Sequence, residues 1–324
     1  MEHQELGRSG ITVSRVTLGC GNFGGVGSAP AFFGKGIPRD EADRIMDAAW
    51  ELGITTFDTA DAYGGGRSEC FIGKWLASKD GSVRDAIVVE TKTFNPNVAG
   101  GDHGLARDRI SRQIDVSLGR LGLDRVPLYL AHDFDPDVPQ EETLRAFDEL
   151  VRAGKVGAVG ASNFTGAQLS EALEISADKS LTRYEWAQNS LSLLDRDNAE
   201  SVLPVCREHG LGFEAFGPLA GGWLTGKYRR SAAYPEGSRM TQRPESYARF
   251  ENGRVFDALE AFDLEAVGHG VSMAALATAW LLGEPGVSTV VVGPTRAEHL
   301  EPVREAMALE LTPADRAHLR GLFE

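Results

Sequence analysis

The chain has 324 residues, with 33 Lys and Arg against 47 Asp and Glu for a formal charge of −14. That acidity argues against nucleic acid or an anionic membrane as the main partner, and no run approaches the roughly 18 apolar residues of a membrane span. Cys20, Cys70 and Cys206 are too few and too widely spaced for a disulfide framework or a thiolate zinc site. The first residues lack the basic start and apolar run of a signal peptide, so a cytoplasmic location is expected.

In chain order, Gln4–Val13 reads as a hairpin turning at Ser9-Gly10, and Val16–Gly19 as the first strand of a larger sheet. Ala42, Ile45, Met46, Ala49 and Trp50 recur at helical spacing and predict a helix at about 39–52. Further strands are expected to end near Asp58, Lys92, His132, Ser162, Gln188, Phe216 and Gly293. Amphipathic helices are expected near 69–79, 106–121, 141–153, 166–177, 198–209 and 296–308. Most intervals are about the size of a βαβ unit. Eight such strands predict an α/β chain folded as a single (β/α)8 TIM barrel over 1–324, with an N-terminal β-hairpin and an extra C-terminal helix; an open doubly wound sheet is the runner-up. The long Gly-, Arg-, Tyr- and Ser-rich connection at 217–250 is expected to be functional.

Gly19-Cys-Gly21-Asn-Phe-Gly24 matches a dinucleotide-binding fingerprint. That motif needs a helix opening at its third glycine. The following Gly25–Gly36 cannot supply one, so the segment reads as a loop over a barrel mouth, with Phe32 and Phe33 available to substrate.

Three apolar runs end on reactive side chains: Ile54–Asp58, Ile87–Lys92 and Val126–His132, with Tyr63 five residues after Asp58. Cores rarely hold Lys and Asp unless they are paired. Carbonyl reduction needs an acid beside the developing alkoxide, and the Tyr63 phenol suits that role if a neighbouring ammonium pulls its value down from about 10. Lys92 is the candidate ammonium, Asp58 its counter-charge and His132 the group that orients the carbonyl. Taken singly, each residue has a duller reading. Asp58-Thr59 is a possible helix N-cap, Tyr63 an anchored loop phenol, Lys92 a solvated strand end and His132 a satisfied histidine. Ser162-Asn163 is a candidate cap for the helix that follows Thr165, and His103 reads as a solvated loop residue.

Gly53–Glu69, Gly73-Lys74, Thr91-Lys92, Leu128–His132, Gly157–Phe164, Gln188-Asn189 and Gly217–Tyr228 together resemble the aldo-keto reductase superfamily, and the likeness runs nearly the whole chain. The resemblance places Asp58, Tyr63, Lys92 and His132 on the family's catalytic tetrad, with Tyr63 as general acid. It implies a nicotinamide cofactor lying across the carboxyl end of the barrel. Ser162, Asn163 and Gln188 would hold its carboxamide and Phe216 its ring. Leu219, Gly221 and Leu224 would line the pyrophosphate loop, and Gly293 and Arg296 would lie at the last strand end. The family usually has an Asn near Val303 for adenine; Pro302 and Val303 offer no side-chain hydrogen bond. Arg296 suits a 2′-phosphate, so NADP(H) is favoured and NAD(H) remains possible.

The expected partner is a small-molecule carbonyl or alcohol, with a pocket built from 22–37, 94–106, 217–250 and the C-terminal segment. Trp223, Tyr228 and Tyr234 would either line it or pin the long loop. The sequence sets no physiological substrate and no oligomeric state. A rival reading uses Asp58, Asp61, His132, Asp133 and Asp135 as metal ligands of a barrel hydrolase; no His-x-His supports it, and no metal is expected. A redox-sensing barrel with negligible turnover is the other alternative, since related barrels serve as channel-associated subunits.

Overall fold

The structure is a computed structural model that describes residues 1–324. Strands β1 (His3–Glu5) and β2 (Thr12–Ser14) pair antiparallel with His3 opposite Ser14. Leu6 and Val13 of this hairpin are buried against Leu128, Leu130, Ala158 and Trp186, so the hairpin plugs one end of the barrel. Gly7 has φ +60°, and a Cβ there would lie 2.0 Å from the Glu185 carbonyl oxygen. Only glycine permits that approach.

Eight parallel strands close the barrel in chain order, as expected. They are β3 (Val16–Gly19), β4 (Thr56–Asp58), β5 (Val88–Thr93), β6 (Val126–Ala131), β7 (Val156–Ser162), β8 (Tyr184–Ser190), β9 (Gly212–Phe216) and β10 (Thr289–Val292). The register sets Gly19 beside Asp58, Asp58 beside Glu90, and Gln188 beside Glu214. Side chains alternate along a strand, so Glu90 and Lys92 share one face of β5.

Helices α1 (Arg39–Glu51), α2 (Arg67–Ala77), α3 (Gly81–Ala86), α4 (Arg107–Leu121), α5 (Gln140–Arg152) and α6 (Gly166–Lys179) follow β3 to β7, with α2 and α3 together after β4. The expected helix at 198–209 is two, α7 (Asp197–Ser201) and α8 (Leu203–His209), broken just before Pro204. Proline lacks the N–H a helix interior needs. The connection from β9 to β10 holds α9 (Arg239–Gln242) and then α10 (Gly253–His269) and α11 (Met273–Leu282), neither of the last two anticipated. Nine of the ten residues of α11 are buried, so it carries no polar stripe to reveal a helical period. α12 (Glu301–Ala308) and the expected C-terminal helix α13 (Pro313–Gly321) close the chain.

Candidate active site at the barrel mouth

The four predicted side chains meet at the carboxyl end of the strands. Asp58 ends β4, Lys92 lies near the end of β5, and His132 follows β6. Tyr63 sits on a short turn between β4 and α2, where Gly64, Gly65 and Gly66 all have positive φ. Three left-handed residues fold the chain tightly back on itself. A Cβ on Gly64 would meet the Phe23 carbonyl at 2.7 Å, so the loop after β3 packs directly on this turn.

Lys92 is fully buried, donating to the Asp58 carboxylate and, at 2.9 Å, to the Thr59 carbonyl. Its ammonium lies 5.1 Å from the centroid of the Tyr63 ring. The Tyr63 hydroxyl and His132 Nε2 are 3.5 Å apart. Asp58 is therefore no helix cap; the N-cap of α2 is Gly66. Likewise α6 is capped by the Thr165 side chain in a capping box with Gln168, which frees Ser162 and Asn163.

Burial lowers the Lys92 amine to about 7, opposed by the charge of Glu214; the touching Asp58 carboxylate also favours the charged form. Tyr63 departs from expectation. Burial, followed by the neighbouring buried carboxylates Glu90 and Glu214, raises its phenol above the ordinary value. The Lys92 ammonium does not outweigh that burial, so Tyr63 remains a protonated donor at neutral pH. Burial and then Lys92 hold the His132 imidazole well below its usual value, leaving it neutral. Asn95 Nδ2 lies 3.3 Å from His132 Nδ1. An amide N–H donating there requires an acceptor at Nδ1 and leaves the proton on Nε2, facing Tyr63.

Behind the turn, buried Asp61 accepts from Gln113 at 2.9 Å and pairs with Arg109 at 3.4 Å. Arg109 also donates to the Asn95 carbonyl at 2.8 Å, tying the residue beside His132 to α4. The donors of the rival metal reading are thus engaged separately: Asp58 with Lys92, Asp61 with Arg109, Asp135 with the Leu105 N–H at 2.7 Å and Asp133 with the Phe134 N–H at 2.9 Å.

Ser162, Asn163 and Gln188 gather beside the tetrad. Asn163 Nδ2 donates to the His132 carbonyl at 2.9 Å, and Gln188 Nε2 donates to Glu90 at 2.6 Å and Glu214 at 3.0 Å. The Ser162 hydroxyl donates to the Gln188 amide oxygen in a long 3.4 Å contact and can turn to a bound group, while the Asn163 and Gln188 amide oxygens can accept. A primary carboxamide needs that set: acceptors for its NH2 and a donor for its oxygen. The donor set fits the head of a nicotinamide cofactor. Phe216 is half-buried at the end of β9.

The other expected cofactor residues divide. Leu224 is fully buried and Leu219 is partly buried against the core, so the loop presents its backbone rather than the Leu224 side chain. Gly221 lies beneath the Tyr247 ring, which a Cβ would meet at 2.5 Å. Gly293 and Arg296 are exposed, and Arg296 lies 3.0 Å from His299 Nε2. Val303 is buried and reaches no ligand by its side chain. Trp223 and Tyr228 are buried in an aromatic cluster with Tyr234 and Phe250, so Trp223 and Tyr228 pin the long loop. That loop brings in a residue the sequence did not single out, the half-buried Arg239, which donates to Asn22 Oδ1 at 2.8 Å. The contact ties 217–250 to the loop after β3.

The closed parallel barrel with ionisable groups at its carboxyl-terminal strand ends defines a (β/α)8-barrel enzyme. The particular family follows from comparison: the Aldo/keto reductase family profile matches residues 15–324, and the chain belongs to that family. It is 37% identical to the uncharacterized oxidoreductase YrpG of Bacillus subtilis, over 100% of this chain and 96% of the relative. It is 31% identical to the aldo-keto reductase YhdN of the same organism, over 100% and 94%. It is 33% identical to a putative voltage-gated potassium channel subunit beta of Schizosaccharomyces pombe, over 95% and 89%. The protein is an oxidoreductase of a family that uses NAD(P)H on small-molecule carbonyl compounds. No helix is long and apolar enough to cross a membrane.

Proposed function

We propose that this chain reduces an aldehyde or ketone to an alcohol, or runs the reverse reaction, with Tyr63 as the proton donor. The observation that carries the reading is the convergence of the Lys92–Asp58 pair, the Tyr63 hydroxyl and a neutral His132 on one mouth. The cofactor supplies the hydride when bound. Tyr63 supplies a proton to the carbonyl oxygen, and His132 Nε2–H donates to the same oxygen and fixes its direction. Lys92 sets a positive charge behind the phenol, favouring the phenolate left after proton transfer. Asp58 keeps that ammonium charged, while Ser162, Asn163 and Gln188 hold the carboxamide and Phe216 offers an aromatic face to the ring.

NADP(H) is the favoured cofactor. Arg296 is exposed beside His299, whose imidazole is lowered by burial and then by the Arg296 and Lys227 charges, so three basic groups stand near one another. Such a cluster suits a 2′-phosphate. A fluorescence titration with NADPH and NADH tests the reading: saturable binding, tighter for NADPH, is expected, and binding of neither ends it. The relatives named as potassium channel subunits favour a second reading, a sensing barrel with little turnover. Steady turnover of any simple aldehyde excludes it.

A further inference from the structure

Directly beneath the tetrad, the barrel holds two carboxylates that the reaction above does not use. Glu90 on β5 and Glu214 on β9 are both fully buried. They accept from one amide nitrogen, Gln188 Nε2, at 2.6 and 3.0 Å. Each keeps one oxygen, Glu90 Oε2 and Glu214 Oε1, without a partner. Two acids sharing one donor in a dry interior cannot both ionise, so the pair carries one proton and one negative charge. Burial and the charge of Glu214 push Glu90 well above the usual carboxylate range.

The only cation facing that charge is Lys92, whose amine the Glu214 charge raises and which is already bound to Asp58. Lys92 is matched by Asp58, His132 is neutral, and behind them Asp61 is paired with Arg109 and Glu69 with Arg120. Once Asp61 is ionised, above about pH 7, the interior therefore keeps one surplus negative charge, and an uncompensated buried charge is costly. Gln188 links the acids to the mouth. With its NH2 turned down to both carboxylates, its amide oxygen is left for Ser162, whose hydroxyl lies 3.4 Å away, and for a bound carboxamide. A nicotinamide ring carries a positive charge when oxidised and none when reduced.

Resting on the proposed nicotinamide site, we propose that Glu90 and Glu214 form a singly charged acid pair that orients Gln188 and makes the barrel prefer the oxidised, cationic cofactor over the reduced one. Both act through Gln188 and are positioning residues.

The test is calorimetric titration with NADP+ and NADPH of the wild type, Glu90→Gln and Glu90→Gln/Glu214→Gln. Glu90→Gln keeps a neutral hydrogen-bonding group beside Glu214 and should leave the ratio of the two dissociation constants within about twofold. The double variant removes the charge and should shift the ratio roughly tenfold toward NADPH, as expected for charges a few ångströms apart in a partly polar interior. Glu90→Gln/Glu214→Met replaces it if that variant does not fold, because apolar isosteres of buried charges are commonly tolerated. Infrared spectroscopy of the wild type above about pH 8, where Asp61 is ionised, should show a protonated carboxyl band that is lost in Glu90→Gln. An unmoved ratio in the neutral variants, or no such band, overturns the proposal while leaving the nicotinamide site intact. If the wild type binds neither form, the nicotinamide reading fails and takes this one with it.

Discussion

The Tyr63 hydroxyl and His132 Nε2 stand 3.5 Å apart with their rings edge to face at 77°. That separation is at the outer limit of hydrogen bonding. An incoming oxygen can accept from both donors more closely than they reach each other. The pair is therefore set for a third atom, and the turn of three left-handed glycines after Tyr63 holds one side of it in place.

Removing the Tyr63 hydroxyl should separate binding from chemistry. Tyr63→Phe keeps the ring and its contact with the Lys92 ammonium, so cofactor affinity should change little. Turnover should fall by about 100-fold or more, the usual effect of losing a general acid. Stopped-flow and steady-state rates with a simple aldehyde measure this. A rate near that of the wild type removes Tyr63 from the role.

Lys92→Met strands the buried Asp58 carboxylate. Losing one partner of a buried pair costs about 3–5 kcal/mol, so both stability and turnover should drop. Adding Asp58→Asn neutralises the stranded charge and should restore most of the stability while turnover stays low. Chemical denaturation with parallel rate measurements distinguishes the two losses. Recovery of activity along with stability would show that Lys92 is structural only.

The tetrad was legible in the sequence because each member ends an apolar run or follows one at short range. The barrel was legible because its strands recur at βαβ spacing. The buried helix α11 was not: an all-apolar stretch has no period to read. Glu90 stood in plain view two residues before Lys92, but its partner lies 124 positions further along the chain at Glu214, and only barrel closure brings them to one Gln188 nitrogen. The direction of the Leu224 side chain was not legible either. A motif places the backbone of a loop, while the fold decides which side chains turn inward.

His132 predicts a pH dependence of stability. Its value in the fold lies well below the ordinary 6.5, through burial and then Lys92. Between those two values the unfolded chain binds a proton that the folded chain refuses. This contribution to stability is complete above about pH 6.5 and is lost as the pH falls toward the folded value. Asp61, raised by burial to about 7, works in the opposite direction over an overlapping range, so the comparison is with a variant. His132→Asn should lose less unfolding free energy than the wild type between pH 7 and 5, by up to about 1.4 kcal/mol per pH unit. Parallel slopes would mean that the folded imidazole is not held neutral.

Arg239 and Arg296 should read different parts of the cofactor. Arg239 is half-buried, meets no carboxylate within ion-pair distance, and is held to Asn22 Oδ1 where two mouth loops join. A buried cation without a counter-ion is poised for an anion. From the loop junction, the pyrophosphate common to both cofactors is its natural partner. Arg296 lies in the exposed basic group with His299 and Lys227, suited to the 2′-phosphate that only NADPH carries. Arg239→Ala should weaken NADPH and NADH alike by about tenfold, the worth of one hydrogen bond to a charged group. Arg296→Ala should weaken NADPH by a similar factor and leave NADH nearly unchanged. Titrations of both variants with both cofactors give four affinities, and equal losses for Arg296→Ala would move the 2′-phosphate away from that cluster. Selective loss of NADPH in Arg239→Ala would instead bring the 2′-phosphate to the loop junction, making Arg239 the residue that sets cofactor choice.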